Sequence, residues 1–228
     1  PISAMAAGLT CSRLPVLMAR FLASHYAMNR MTGEIRTNAV DQMTKSLDPS
    51  KTLLYQTDLE RLKPVLQGLV EGMQSGNCVA LQEVYEVLVA RARENEAIVK
   101  KILGPDYRRD ETVALTIDVN QRPYVKTAAE KHELLRKIVH FQIQNALLAG
   151  IDLAEARTRQ IHRYELQTMR VVERNPEKLV TSLAEAFALA LDPHTSYLSP
   201  EKVEDLHIQM QLSLEGIGAA LSSDNGFA

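Results

Sequence analysis

Between Leu183 and Leu221 the hydrophobic pattern changes character three times, and each change limits what the rest of the chain can build. Leu183, Ala186, Phe187, Ala190 and Leu191 recur at helical spacing. Asp192-Pro193 ends that run, because a proline ring disfavours the α conformation in the residue before it. A polar loop follows. Ser199-Pro200-Glu201 then opens another helix: serine can cap free amides, proline is tolerated in the first turn, and the acid sits near the positive end of the helix dipole. From Leu212 the period falls to two, with Leu212, Leu214, Ile217 and Leu221 among small or polar residues, and Gly216 and Gly218 permitting a bulge or a close backbone approach. A strand that arrives last in a helical chain needs partners for its amides. The pattern therefore predicts that the natural protein continues past Ala228 into a β-containing module. Left without its neighbours, the strand is expected to be disordered or borrowed by another copy of the chain, a route to self-association.

Upstream, helix signals start at Ser12, after a small, apolar stretch over residues 1–11 that reads as a flexible terminus. Leu14, Leu17, Met18, Phe21, Leu22 and Tyr26 form a broad apolar face. A second helix is predicted over about Thr32 to Leu47, stopped by Asp48-Pro49 as Asp192-Pro193 stops the later one. Thr57 and Asp58 can cap a third, in which Pro64 implies a kink or a later start, and Gly76-Asn77 suits a left-handed C-cap. The fourth, about Val79 to Leu103, has an apolar stripe that thins in the middle, at Arg91 and Asn95. Val113, Leu115, Ile117 and Val119 alternate strictly, so this segment is either a second strand or an extended loop over the helices. Thr127 opens a fifth helix to about Ala149, with Leu134, Leu135, Ile138, Phe141, Ile143 and Leu147 apolar. Asp152 caps a charge-laced sixth to about Arg174, anchored by Ile161, Tyr164, Leu166 and Met169, and Asn175-Pro176-Glu177 opens the seventh.

The fold class expected is mainly α: a multi-helix domain over 12–211, with one or two short strand elements, the last of them leading from 212–228 into a following domain. The two Leu-Asp-Pro segments read as two uses of one helix stop rather than an internal repeat.

Composition excludes several functions. The 228 residues carry a formal charge of −2 with 24% charged side chains of mixed sign, which offers no basic stripe for nucleic acid. No segment has the ~18 uninterrupted apolar residues that a membrane span needs. Cys11 and Cys78 are too few for a disulfide scaffold and match no zinc spacing, and they either pair or stay free thiols. Gly8-Leu9-Thr10 before Cys11 is a poor lipobox.

Asp192, His194, Ser196 and Ser199 include the residue types of a hydrolytic triad, but four residues of one loop mostly bond their own backbone. His132-Glu133-Leu134-Leu135-Arg136 begins like a zinc-protease motif and has arginine where the second histidine belongs, with His140 more than two turns from His132. His25, His162 and His207 are isolated. Met28, Met31, Met43, Met73, Met169 and Met210 are spread over many elements and read as core filler rather than a peptide groove. Gly216-Ile217-Gly218 is followed by neither helix nor lysine, so it is not a phosphate loop. No catalytic, cofactor-binding or metal-ligating residue is assigned to the chain, and no cofactor is expected.

Asp192-Pro193-His194-Thr195-Ser196-Tyr197-Leu198-Ser199-Pro200, followed by Met210-Gln211-Leu212-Ser213-Leu214-Glu215-Gly216-Ile217-Gly218-Ala219, resembles the segment just before the PDZ domain of bacterial tail-specific proteases, the periplasmic C-terminal processing peptidases. Phe21-Leu22-Ala23-Ser24-His25-Tyr26 and Leu47-Asp48-Pro49-Ser50-Lys51 resemble the helical N-terminal region of the same enzymes. The resemblance implies a periplasmic parent serine endopeptidase with a Ser/Lys dyad downstream of a PDZ domain that takes apolar C-terminal tails of protein substrates. It further implies that the helical region shapes the substrate enclosure and can dock a helical-repeat lipoprotein adaptor. This chain contains neither the PDZ nor the protease segment, so alone it is expected to be inactive. The competing expectation is a stand-alone helical scaffold that binds a partner through its exposed helices. A small hydrolase built on the loop from Asp192 to Ser199 is a third.

Overall fold

The computed structural model describes residues 8–110 and 112–211. These form eight α-helices: α1 Leu14–Ser24, α2 Gly33–Leu47, α3 Gln56–Gly72, α4 Leu81–Ile102, α5 Ala128–Leu148, α6 Leu153–Glu173, α7 Pro176–Leu191 and α8 Pro200–Gln211. Short 3-10 turns precede α1 (Cys11–Arg13) and follow α3 (Met73–Ser75). The expected mainly α class is what the chain adopts. The predicted strand from Leu212 lies outside the described residues, as does most of the terminus at 1–11; Cys11 itself opens the first 3-10 turn.

Helix starts follow side-chain chemistry. Thr127 caps α5 by accepting the Glu130 amide, Asp152 caps α6 through Glu155, and Asn175 caps α7 through Lys178 with Pro176 in its first turn. Thr32 takes the Ile35 amide at the start of α2. Each such cap contributes about 1 kcal/mol.

The chain sorts into two compact units. Among the described residues, unit 1 comprises 8–46, Lys63–Glu83 and 175–211. Its core is built by Leu14 and Met18 of α1, Ile35, Ala39 and Met43 of α2, Leu66, Leu69 and Val70 of α3, and the densely apolar α7, where Leu179, Leu183, Ala184, Phe187 and Ala188 are fully buried. Phe21 meets Phe187 edge to face with centroids 6.2 Å apart. Cys11 and Cys78 form a disulfide across 6.0 Å between Cα atoms. The corner beside it requires Gly76: its φ of 69° lies in the left-handed region, and a Cβ there would meet the Cys11 carbonyl and Ser12 Cα at 3.3 Å.

Among the described residues, unit 2 comprises Leu47–Leu62, 84–110 and 112–174. One cluster gathers Val99 of α4, Leu103 and Tyr107 of the segment after it, Leu135, Val139 and Ile143 of α5, and Ala156 and Tyr164 of α6. Burying each of the larger aliphatic side chains contributes about 1.5–3 kcal/mol.

Several expectations need correcting. α1 stops at Ser24, because His25 leaves helical geometry and its ring takes the Ala27 and Met28 amides, so Tyr26 stands fully exposed rather than on the apolar face. α3 starts at Gln56, with the exposed Pro64 inside it rather than before it. On α5 the buried line is Lys131, Leu135, Val139 and Ile143 at four-residue spacing, while Phe141 is 40% exposed. Met169 of α6 and Met210 of α8 are exposed, whereas Met43 and Met73 fill core as expected. Residues 113–119, left open as a strand or a loop, form no strand and run as a loop. Alternation alone supplies no partner edge. Arg122 instead closes the loop by donating to the Thr116 and Ser50 carbonyls, and among the described residues the sole β contact is a parallel bridge between Tyr55 and Val125.

The disulfide spans a sequence separation of 67, for which loop-closure entropy gives about 4 kcal/mol. Thermal unfolding followed by circular dichroism should therefore show the same lowered Tm for the protein with reductant and for the Cys11→Ser/Cys78→Ser variant. An unchanged Tm after complete reduction would contradict the pairing.

Candidate functional site

Both Asp-Pro helix stops use the aspartate in one way. Asp48, only 2% exposed, accepts the backbone amides of Thr52 (3.0 Å), Leu53 (2.8 Å) and Leu54 (2.9 Å). Asp192 accepts the amides of His194 (2.7 Å) and Thr195 (3.0 Å), the Thr195 hydroxyl, and Nε2–H of His25 at 2.7 Å. A proline directly after the aspartate breaks the helix, and the carboxylate collects the amides left free beyond it. Hydrogen bonds from Thr195 and His25 hold the Asp192 carboxyl well below the usual carboxylate range. His25 Nδ1 accepts two amides, which leaves the ring proton on Nε2 to be donated to Asp192.

This geometry answers the triad question within the loop. The Asp192 carboxylate has four donors already, and the histidine on it is His25, 167 residues earlier, not His194. His194 and Ser196 are exposed, and the Ser199 hydroxyl faces the Lys202 amide at the start of α8, 3.4 Å away. The zinc-like run is equally committed elsewhere. Glu133 is gripped by Arg136 at 2.8 and 2.9 Å, and buried His140 contacts the Tyr107 hydroxyl at 2.8 Å and accepts the Asp110 amide at 3.1 Å. Among the described residues no three metal-capable side chains converge.

The densest polar constellation was not singled out in the sequence. It lies in unit 2, around Tyr55, the residue before α3. Asp58, read in the sequence as a helix cap, instead occupies the third helical position and reaches back to the Tyr55 amide at 2.9 Å, one half of a capping box. Arg91 of α4 grips Asp58 with two bonds, Nε at 2.7 Å and an Nη at 2.8 Å, and reaches Glu94 at 2.9 Å. The Tyr55 hydroxyl donates to Glu94 at 2.6 Å. Two cations lie over the Tyr55 ring, Arg91 at 4.5 Å and Lys131 Nζ at 4.2 Å from its centroid. Lys131 is completely buried, with its ammonium donating to the Leu53 carbonyl at 2.6 Å and lying 3.7 Å from Glu94.

Two carboxylates balance two cations here, as a charge group taken out of water must be. Burial pushes the Asp58 and Glu94 carboxyls up, but the hydrogen bonds they accept from Arg91, and from the Tyr55 amide and hydroxyl respectively, outweigh it and leave both below their ordinary values. Burial, then the Glu94 hydrogen bond, drives the Tyr55 phenol above its usual range. Burial also pushes the Lys131 ammonium down to about 8, against the pull of Glu94. Everything in the cluster points at the segment from Asp48 to Tyr55, which Asn95 also ties down by donating to the Thr52 carbonyl. Its chemistry is that of a lock on a loop. The sequence signals were a lysine at a core position of α5 and the thinning of the α4 stripe at Arg91 and Asn95.

Comparison with known proteins gives two findings. The sequence model of the family described as the tail specific protease N-terminal domain matches residues 17–201. That span includes both Asp-Pro stops and the motif at 192–200; the second half of the motif, 210–219, falls beyond it. A tail-specific protease of Haemophilus influenzae is 27% identical over 207 residues, which is 90% of this chain and 30% of that protein. The chain thus spans under a third of the length of this relative.

Lys131 supplies the test of the cluster. Because its folded-state pKa lies below the ordinary 10.5, the folded form binds fewer protons than the unfolded chain between about pH 8 and 10.5. Its contribution to stability should rise with pH across that window and be lost as pH falls through 8. Denaturant unfolding of the protein and of Lys131→Met should therefore diverge with pH in this sense, and the Lys131 Nζ resonance should titrate near 8. A midpoint at the ordinary lysine value would overturn the assignment.

Proposed function

The chain belongs to the tail-specific protease N-terminal domain family, and from that premise we propose that it is the non-catalytic helical part of a periplasmic serine endopeptidase. In this reading the peptide bond is cut by a Ser/Lys dyad encoded further along, after a PDZ domain that takes apolar C-terminal tails of protein substrates. The helices wall the substrate enclosure and offer a face to a helical-repeat lipoprotein adaptor. The observation that carries the reading is the family match across 17–201. The saturated carboxylate of Asp192 supports the non-catalytic part, since it has no free lone pair with which to orient a base toward Ser196. None of the described helices is long and apolar enough to cross a membrane.

The test compares two folded reporters that differ only in the last few residues, apolar in one and charged in the other. The full-length protein encoded by the gene should degrade the apolar-tailed reporter at least about tenfold faster, a discrimination of more than 1.4 kcal/mol. The 228-residue chain alone should leave both intact. Tail-independent cleavage by the full-length protein, or hydrolysis by the chain unaided, would refute the proposal.

A further inference from the structure

A cavity of about 670 Å³ opens along α5 and α6 in unit 2, on the opposite flank of α5's sequence from the capped end that holds Lys131. Its lining has an unusual charge pattern. Every polar side chain in it is an amide, an arginine or a histidine, and none is a carboxylate. Among the cations Arg159 is already held by Glu155 at 2.5 and 2.9 Å, and His162 lies 3.5 Å from Glu165, which also binds Lys100. Arg163 and Arg170 are exposed and have no carboxylate partner among the described residues. They stand seven residues apart on α6, close to two helical turns, which puts them on one face about 10 Å from each other. Leu166 lies between them in the lining, with Ala146 and Ile151 also present.

Nothing in a helix pair requires such a groove to be free of acids. At the rim of the groove α6 neutralises one cation locally, Glu155 holding Arg159, and a fully solvated face typically mixes both signs. A run of unpaired guanidiniums beside an apolar strip is complementary to a ligand with the reverse pattern. Guanidinium forks take carboxylates by paired hydrogen bonds, and Gln142, Asn145 and Gln167 along the same groove can give and accept bonds with a peptide backbone.

We propose that the α5–α6 groove docks an acidic peptide segment of a partner protein, with Arg163 and Arg170 taking two carboxylates about 10 Å apart and Leu166 contacting an apolar side chain between them. The groove's chemistry stands whether or not a protease follows downstream. It supplies affinity through exposed charge, so binding should weaken steeply with salt.

The test is fluorescence anisotropy of the purified chain with a labelled peptide of Glu, Leu and Gly, its counterpart with Lys in place of Glu, and inorganic tripolyphosphate as competitor. The acidic peptide should bind and the lysine peptide should not. Arg163→Gln/Arg170→Gln should weaken binding by about tenfold or more, while Lys178→Gln, an exposed cation on α7, should not. Arg163→Glu/Arg170→Glu should reverse the preference toward the lysine peptide, a result that a merely structural role for the arginines would not produce. Equal binding of the two peptides, equal loss in Lys178→Gln, or binding of tripolyphosphate with the acidic peptide ignored would each overturn the proposal. All three substitutions fall on exposed side chains, and an unchanged circular dichroism spectrum verifies folding of each variant.

Discussion

A carboxylate set at the end of a helix, directly before proline, organises the loops of this domain. Proline stops the helix, and the aspartate gathers the amides that would otherwise be left without partners at the turn. At Asp48 three consecutive amides converge on one side chain. At Asp192 two amides, a hydroxyl and the His25 ring do so. The apolar cores then have fixed starting points from which α3 and α8 can run. A buried amide left unbonded costs about 1–3 kcal/mol, so a single carboxylate that satisfies several rivals a large core side chain in its effect on stability.

The cluster around Tyr55 extends the same logic. Its charged groups are bonded to one another and to the backbone. Lys131, Arg91, Asp58 and Glu94 hold one another and the backbone of the segment from Leu53 to Tyr55. Replacing such a group by an apolar one is often tolerated, while removing a single member strands a charge. That asymmetry explains how a fully buried lysine can persist in a domain for which the chemistry of proteolysis is proposed to lie elsewhere in the parent protein. Charge spent on architecture contrasts with Arg163 and Arg170, whose guanidiniums are turned outward and unclaimed within the described residues.

The local signals were legible. Thr127, Asp152 and Asn175 cap the helices they were expected to cap, Gly76 takes the left-handed corner, and the Asp-Pro stops fall where periodicity ends. These depend on neighbours three or four residues away, which a sequence displays directly. What was hidden depends on distant partners. His25 read as isolated because Asp192 lies 167 positions on, and Cys11 gave no sign of whether it joins Cys78. Lys131 lies one turn before Leu135 on the buried line of α5, and its partners Leu53 and Tyr55 are more than 70 positions away in the sequence. The alternation at 113–119 left a strand and a loop both open, and the segment is a loop, since a strand also needs an edge to pair with.

That the two aspartates serve the backbone is most directly tested by amide hydrogen exchange in Asp48→Asn and Asp192→Asn. An asparagine keeps the shape but loses the charge that lets both oxygens accept. Protection should fall at Thr52, Leu53 and Leu54 in the first variant and at His194 and Thr195 in the second, with the helices on either side little changed. Unaltered protection at those amides would mean that the carboxylates are not what holds the loops, and the structural reading of both sites would fail.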